Sequence, residues 1–530
     1  MSRYNVKTVR PSGVSPVATT GQTAPTHEGG TGFLRDAKSE LFLLAVANFV
    51  GQDAFYETGG QRDDRYTQLV RTLAVEDPEW TAGLLGWLRG DGNMRTASLV
   101  GAAEFVKARL EHGREDVRGG ATGVNRDVIA SVLQRPDEPG ELLAYWTSRY
   151  GRNLPKPVKR GIADAVQRMY SERSLLKYDT DSKGYRFGDV LELVHASPAA
   201  DKAWQGDLFR HAIDRRHGRD NDVPASLSTL IARERLTATP VDQRRAVLRD
   251  HPELLADAGM TWEALAGWLQ GPMDAEAWEA IIPSMGLMAL TRNLRNFDEA
   301  GVSDKVAATV AARLADADEV RRSRQFPFRF LAAFQHAPSL RWAYPLEQAL
   351  GHSLGNVPAL TGRTLVLVDR SGSMWTPMSD RSQLNRADAA AVFGAAVAVR
   401  AEHCDLIQFG TGSQSVAYRK GESVLRILER FGNLGGTNTT GAVRDHYQGH
   451  DRVLIVTDEQ AAYNGYGNPT DQIPANIPVY AWNLAGYRAG HGPSGSANRH
   501  TFGGLGDAAF RMVPMLEAGR NANWPWLQAA

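Results

Sequence analysis

The chain has 530 residues, with 60 Lys and Arg balanced by 60 Asp and Glu, and 42% of its side chains are hydrophobic. That composition is ordinary for a folded globular protein, and it excludes a disordered, fibrous or uniformly basic, nucleic-acid-coating chain. A single cysteine, Cys404, excludes a disulfide framework and any zinc site built from several cysteines of one chain. No stretch approaches the ~20 apolar residues needed to span a bilayer. Residues 1–32 lack the apolar core of a signal peptide, so the expected location is cytoplasmic.

Taken in chain order, residues 1–32 are rich in Gly, Pro, Ser and Thr and are expected to form a flexible tail. From Phe33 to residue 355 the pattern is helical. Leu41, Leu44, Ala45, Ala47 and Val50 lie on or near one helical face. Asp77-Pro78, Ser197-Pro198 and Thr239-Pro240 each pair a capping side chain with a proline suited to a first helical turn. About fifteen helices of ordinary length fit this segment. Stacked helical pairs are the expected architecture.

The pattern switches after residue 355. Residues 364–368 form an apolar run of strand length, and an alanine-rich helix follows over 386–402. Further strands are expected over 405–409, 453–457 and 478–484. This alternation predicts a doubly wound α/β domain with a mainly parallel sheet over 356–530.

The strongest chemistry falls at the end of the first of these strands. Asp369, Ser371 and Ser373 can turn one carboxylate and two hydroxyls towards one point, where open α/β sheets bind ligands. Thr437 in the Gly435-Gly436 loop and Asp458 at the end of a second buried strand can complete the set. Hard oxygen donors of this kind suit Mg²⁺, or Mn²⁺ in the same geometry.

These three loops, in this order, resemble the metal-ion-dependent adhesion site of von Willebrand factor A domains. The resemblance implies coordination by Ser371, Ser373 and Thr437, with Asp369 and Asp458 contributing charge, often through water. A ligand carboxylate would supply the last oxygen, so the site would bind a partner rather than hydrolyse one. With that domain in place, the helical half resembles the Ro autoantigen family. The carrying segments are Lys177-Tyr178, Arg186 to His195 with Ser197-Pro198, Met288 to Arg295, and Arg324 to Phe330. The resemblance implies a ring of HEAT-like TROVE repeats followed by the von Willebrand-type domain. Its expected partners are non-coding RNAs with single-stranded ends, Y-type small RNA, and an exoribonuclease or another protein at the metal site. Phe187 stands where eukaryotic members carry a histidine important for Y RNA, which counts against Y RNA at this surface.

Local charge supports RNA independently only in part. Residues 149–188 carry ten basic and four acidic side chains, with Tyr150, Tyr170, Tyr178 and Tyr185 interleaved as stacking candidates. Lys156, Lys159, Arg160, Lys177, Lys183 and Arg186 are the expected RNA contacts. A solvated helix surface would look similar. Gly351-His352-Ser353-Leu354-Gly355 matches a hydrolase pattern but precedes the buried strand instead of following it, and no catalysis is expected. His446 and His450 have helical spacing without a third ligand. The alternative to an RNA-binding ring is a metal-dependent protein-interaction scaffold that binds no RNA.

Overall fold

The structure, a computed structural model, describes residues 13–47, 50–116, 123–219, 221–337, 339–379, 382–496 and 498–527. Between residues 37 and 353 it contains 20 α-helices and, among the described residues, no strand. The count exceeds expectation because several helices are very short. Glu253–Asp257 has five residues and Ala275–Ile281 seven, too few to display an apolar period. Asp77 caps the helix Pro78–Arg89 as expected, accepting the Trp80 N–H at 3.1 Å. Ser197-Pro198 opens no helix. The next one is Gln205–Arg216, and the Gln205 amide oxygen accepts the Ala199 N–H at 2.8 Å across the intervening loop.

Strands β1 (Thr19–Pro25) and β2 (Thr31–Arg35) precede the helices. After them come β3 (Arg363–Asp369), β4 (Pro377–Ser379), β5 (Ser382–Asn385), β6 (His403–Phe409) and β7 (Ser413–Ser415). β8 (Arg452–Thr457), β9 (Val479–Asn483), β10 (Ala489–Gly490) and β11 (Arg499–Gly503) complete the set. The main sheet has the order β11-β9-β8-β3-β6-β7 and is parallel except at the edge strand β7. Alternation along β3 serves two layers. Val366 and Val368 join the core that contains helix Arg386–Arg400, and Leu365 and Leu367 join the one that contains helix Thr439–His446. The expected doubly wound domain is therefore present.

The expected tail is a correction. From residue 13 the chain is folded: β1 pairs with β2, and β2 pairs with β10 in a three-stranded sheet. Ser15 and Val17 are buried, and the Thr19 N–H donates to the Ser494 carbonyl at 3.1 Å. Small polar residues are ordered here because distant backbone supplies their hydrogen bonds, which composition cannot reveal. The boundary at 355/356 is likewise a change of secondary structure inside one apolar core. Leu331, Leu346 and Leu350 of the last two helices share that core with Ala390, Phe393 and Val397. Arg62 and Arg65 from the first helices donate to the Ala485 and Gly486 carbonyls at 2.6 and 3.1 Å.

The helices close on themselves. Glu172 accepts the Leu230 N–H at 2.9 Å, where one stack of helices passes to the next. On the other side, the Asn93 amide donates to the Arg324 carbonyl at 2.5 Å, and Arg324 donates to Gln134 Oε1 at 2.8 Å. Phe326 packs against both apolar cores at this seam.

Candidate metal centre and nucleic-acid interface

The carboxyl ends of the neighbouring strands β3 and β8 bring Asp369, Ser371, Ser373 and Asp458 together, and the loop that carries Thr437 docks on the same turn. All five are buried. Asp369 accepts the Ser371 N–H at 2.9 Å and the Thr457 hydroxyl at 2.6 Å, so both its oxygens are oriented. The Ser371 and Ser373 hydroxyls lie 3.3 Å apart. Gly435, at φ +75°, lets the following loop dock on this turn, and its carbonyl accepts the Gly372 N–H at 2.6 Å. That contact holds the loop carrying Thr437 against the turn. Asp458 accepts the Gln460 N–H at 3.0 Å through Oδ1, and among the described residues its buried Oδ2 has no hydrogen-bond partner.

The electrostatics point the same way. Burial and the neighbouring charge of Asp369 push the Asp458 carboxyl well above the usual carboxylate range, and burial raises Asp369 too. Two buried acids that repel each other, an orphaned oxygen and adjacent hydroxyls fit a hard divalent cation. Among the described residues no group of three or more His, Cys, Asp or Glu converges on a metal position. Any ion here would therefore need the hydroxyl oxygens.

The basic stretch behaves less uniformly. Lys156 and Arg160 are exposed and Lys159 half-buried at the start of helix Lys156–Met169. Lys177 is exposed beside the Tyr178 ring, and exposed Lys183 lines a small pocket with Tyr178 and Tyr185. These five fall in two helices and a loop. Arg186 differs: it is ion-paired to Asp179 and Asp181 at 2.7 Å each, and its side chain is 11% exposed. It anchors a helix start and offers no free charge. Tyr170 is buried, stacked on Phe187, and so cannot stack on a base. Tyr150 donates to Glu104, and Tyr185 to Thr147.

The stronger anion-binding arrangement lies at the seam. A cavity of about 420 Å³ is lined by Asn93, Arg95, Met288, Arg324, Phe326 and Arg329 among others. Arg95 is committed to Asp137 and Glu138. Among the described residues no ion pair engages Arg292, Arg324 or Arg329. Burial and the like charge of Arg292 hold the Arg329 guanidinium below its ordinary value. Arg324 adopts a left-handed backbone (φ +51°), and Met288 is an exposed apolar side chain. These residues lie within the TROVE-like segments, but charge counting passed over them because the arginines come from separate helices.

Of the discounted signals, Ser353 ends a helix and donates to the Leu350 carbonyl at 2.8 Å. His450 is buried, not on the surface, with Nε2 2.6 Å from Asp405, and His446 lies 3.0 Å from Ser413.

Residues 221–341 match the sequence model of the TROVE domain. Over these residues the chain is similar to TROVE domains. Its fold is similar to the crystal structure of the Ro (RSR) protein of Deinococcus radiodurans, with a TM-score of 0.60 and 18% identity. That match covers 91% of this chain and 100% of the other. No curated protein matches the chain significantly in sequence. The TROVE match thus ends before the α/β domain, and the fold likeness runs over both halves. No described helix is long and apolar enough to cross a membrane.

Proposed function

We propose that this protein is a non-catalytic RNA-binding ring that engages non-coding RNA with a single-stranded end in RNA quality control or decay. The carrying observation is the cavity at the seam, where Arg324 and Arg329, with Arg292 acting on Arg329, sit beside Met288 and Phe326 without acidic partners among the described residues. Guanidinium forks suit phosphate oxygens, and apolar and aromatic faces suit unstacked bases. Lys156, Lys159 and Arg160 at one helix start, and Lys177 and Lys183 beside Tyr178, offer further basic groups for a structured RNA. Y-type RNA is a weaker fit, because Phe187 is a core residue.

The metal reading rests on Asp458 Oδ2 and the Asp369–Asp458 repulsion. Ser371, Ser373 and Thr437 would hold Mg²⁺ or Mn²⁺ directly, with Asp369 and Asp458 supplying charge. When bound, the ion would accept a carboxylate from a protein partner such as an exoribonuclease. This buried donor set is what favours the second reading, a metal-dependent scaffold without RNA. Fluorescence anisotropy separates the two. A hairpin RNA with a single-stranded 3′ tail should bind more tightly than its blunt form. Equal affinity for both overturns the end-binding reading, and no affinity for either leaves the scaffold.

A further inference from the structure

A cavity of about 330 Å³ lies between the helical half and the α/β domain. That size falls within the range of about 300–1,000 Å³ usual for small-molecule sites. Leu331 and Phe334 line it from the helix Pro327–His336, and Leu425 and Leu428 from the helix Val424–Leu428. Ala391, on the helix Arg386–Arg400, completes the apolar wall. Arg370 and Asp388 bring two opposite charges to this lining, and the exposed residues Gln335 and Glu429 belong to it as well.

Arg370 is buried and fixed. Its Nε donates to the Gly432 carbonyl at 2.8 Å and its Nη1 to the Ala387 carbonyl at 2.5 Å. The guanidinium carbon lies 4.4 Å from the centre of the Trp375 ring and 5.6 Å from that of Phe431, which holds its plane. Among the described residues Nη2 has no hydrogen-bond partner. Asp388 Oδ1 stands 4.0 Å from Nη1, too far for a hydrogen bond. Burial raises the Asp388 carboxyl above the usual carboxylate range, and Arg370 and Asn385 offset this only in part. Each member of the pair therefore keeps capacity for a third group, beside a wall that is largely hydrocarbon.

The two charges decide the chemistry. A guanidinium fork recognises a carboxylate, and a fixed carboxylate recognises an ammonium. An anion alone would meet the like charges of Asp388 and Glu429, and a cation alone would meet that of Arg370. A zwitterion satisfies both, and one with an apolar side chain also covers the leucines and Phe334. We propose that this cavity binds a free α-amino acid with an apolar side chain. Arg370 holds its carboxylate, Asp388 its ammonium, and Leu331, Phe334, Leu425 and Leu428 its side chain. The site stands between the two already described, since Phe334 shares its helix with Arg329, and Arg370 separates Asp369 from Ser371. It requires neither RNA nor a metal ion.

Isothermal titration of the full chain with L-leucine, L-methionine and L-phenylalanine tests this. At least one should bind at millimolar concentration or below. The tightest is then compared with its des-amino acid, with its decarboxylated amine and with glycine, each of which lacks one recognised group. Each should bind at least roughly 10-fold more weakly, the usual effect of one charge-assisted hydrogen bond or one buried apolar side chain. Asp388→Asn should weaken binding by a similar factor. Ala391→Leu, which fills the cavity without altering its charges, should abolish it. A cooperative melt confirms that each variant is folded, and if one is not, the analogues decide the matter on wild type. No binding by any of the three amino acids overturns the proposal. So does equal affinity for the des-amino acid, the amine or glycine, and so does undiminished binding by folded Ala391→Leu.

Discussion

The rings of Tyr170 and Phe187 stack face to face, 3.8 Å between centroids and 9° from parallel, in the core of the helical half. Both are buried, and Phe209 meets Tyr170 edge-on at 6.4 Å. A position that the sequence pattern aligns with a surface RNA contact is here a packing position. Phe187→Ala should cost about 3–5 kcal/mol, as for other large buried aromatics, and appear as a lowered melting temperature. Phe187→His should also destabilise, because the imidazole has no assured partner there. Gel-shift affinity for Y-type RNA should not rise in Phe187→His, and a clear rise would show that the side chain reaches the surface.

The seam arginines should carry the salt-dependent part of RNA binding. Arg292→Ala combined with Arg329→Ala should weaken a tailed RNA and flatten the plot of log affinity against log salt by about one for each phosphate no longer neutralised. Arg186→Ala should do the reverse. It leaves the buried Asp179 without its closest cation, so stability falls while RNA affinity at the seam is retained. Salt titrations by anisotropy, run beside thermal melts, distinguish the two outcomes.

Metal binding should be separable from the helical fold. Mg²⁺ at about 100 times its Kd should stabilise the C-terminal domain by about 2.7 kcal/mol, since an ion that binds only the folded state shifts the equilibrium by mass action. Asp369→Ala should abolish that gain while the far-ultraviolet helical signal persists. Retained Mg²⁺ stabilisation in this variant would remove Asp369 from the site.

Acid should loosen the N-terminal strap. His500 lies on β11 with Nδ1 3.0 Å from Ser15, and burial lowers its pKa from 6.5 to about 4. The unfolded chain therefore takes up the proton first. Stability from this group is complete above about pH 6.5 and is lost as the pH falls towards 4, at up to about 1.4 kcal/mol per unit. Buried His491 is shifted in the same direction. His500→Gln should show a smaller drop in melting temperature between pH 7 and pH 4.5 than wild type. An identical drop would assign the acid sensitivity elsewhere.

Much was legible in the sequence where the signal is local. The apolar run over 364–368, the turn from Asp369 to Ser373 and the Gly435-Gly436-Thr437 loop are each contiguous, and the loop docks on the turn at the end of the strand. The strand over 499–503 and the β1–β2 hairpin were not legible. Their residues are small, polar or aromatic, and their pairing partners are far away in the chain. The basic stretch was legible as charge but not as free charge, because Asp179 lies seven positions from Arg186 and meets it only through folding.

By itself, then, the sequence determined the helical and α/β halves and the strand ends that carry Asp369 and Asp458. Periodicity and short-range spacing are sufficient for such features. The tertiary structure alone decided which charges are neutralised, that Phe187 is core, that the helices close at Arg324, and that the β1–β2 turn docks on the loop after Asp458. Each of these depends on groups that only folding brings together or on exclusion from water. The zero net charge therefore says nothing about the seam: among the described residues its arginines Arg292, Arg324 and Arg329 have no acidic partner, because the fold places the acids elsewhere.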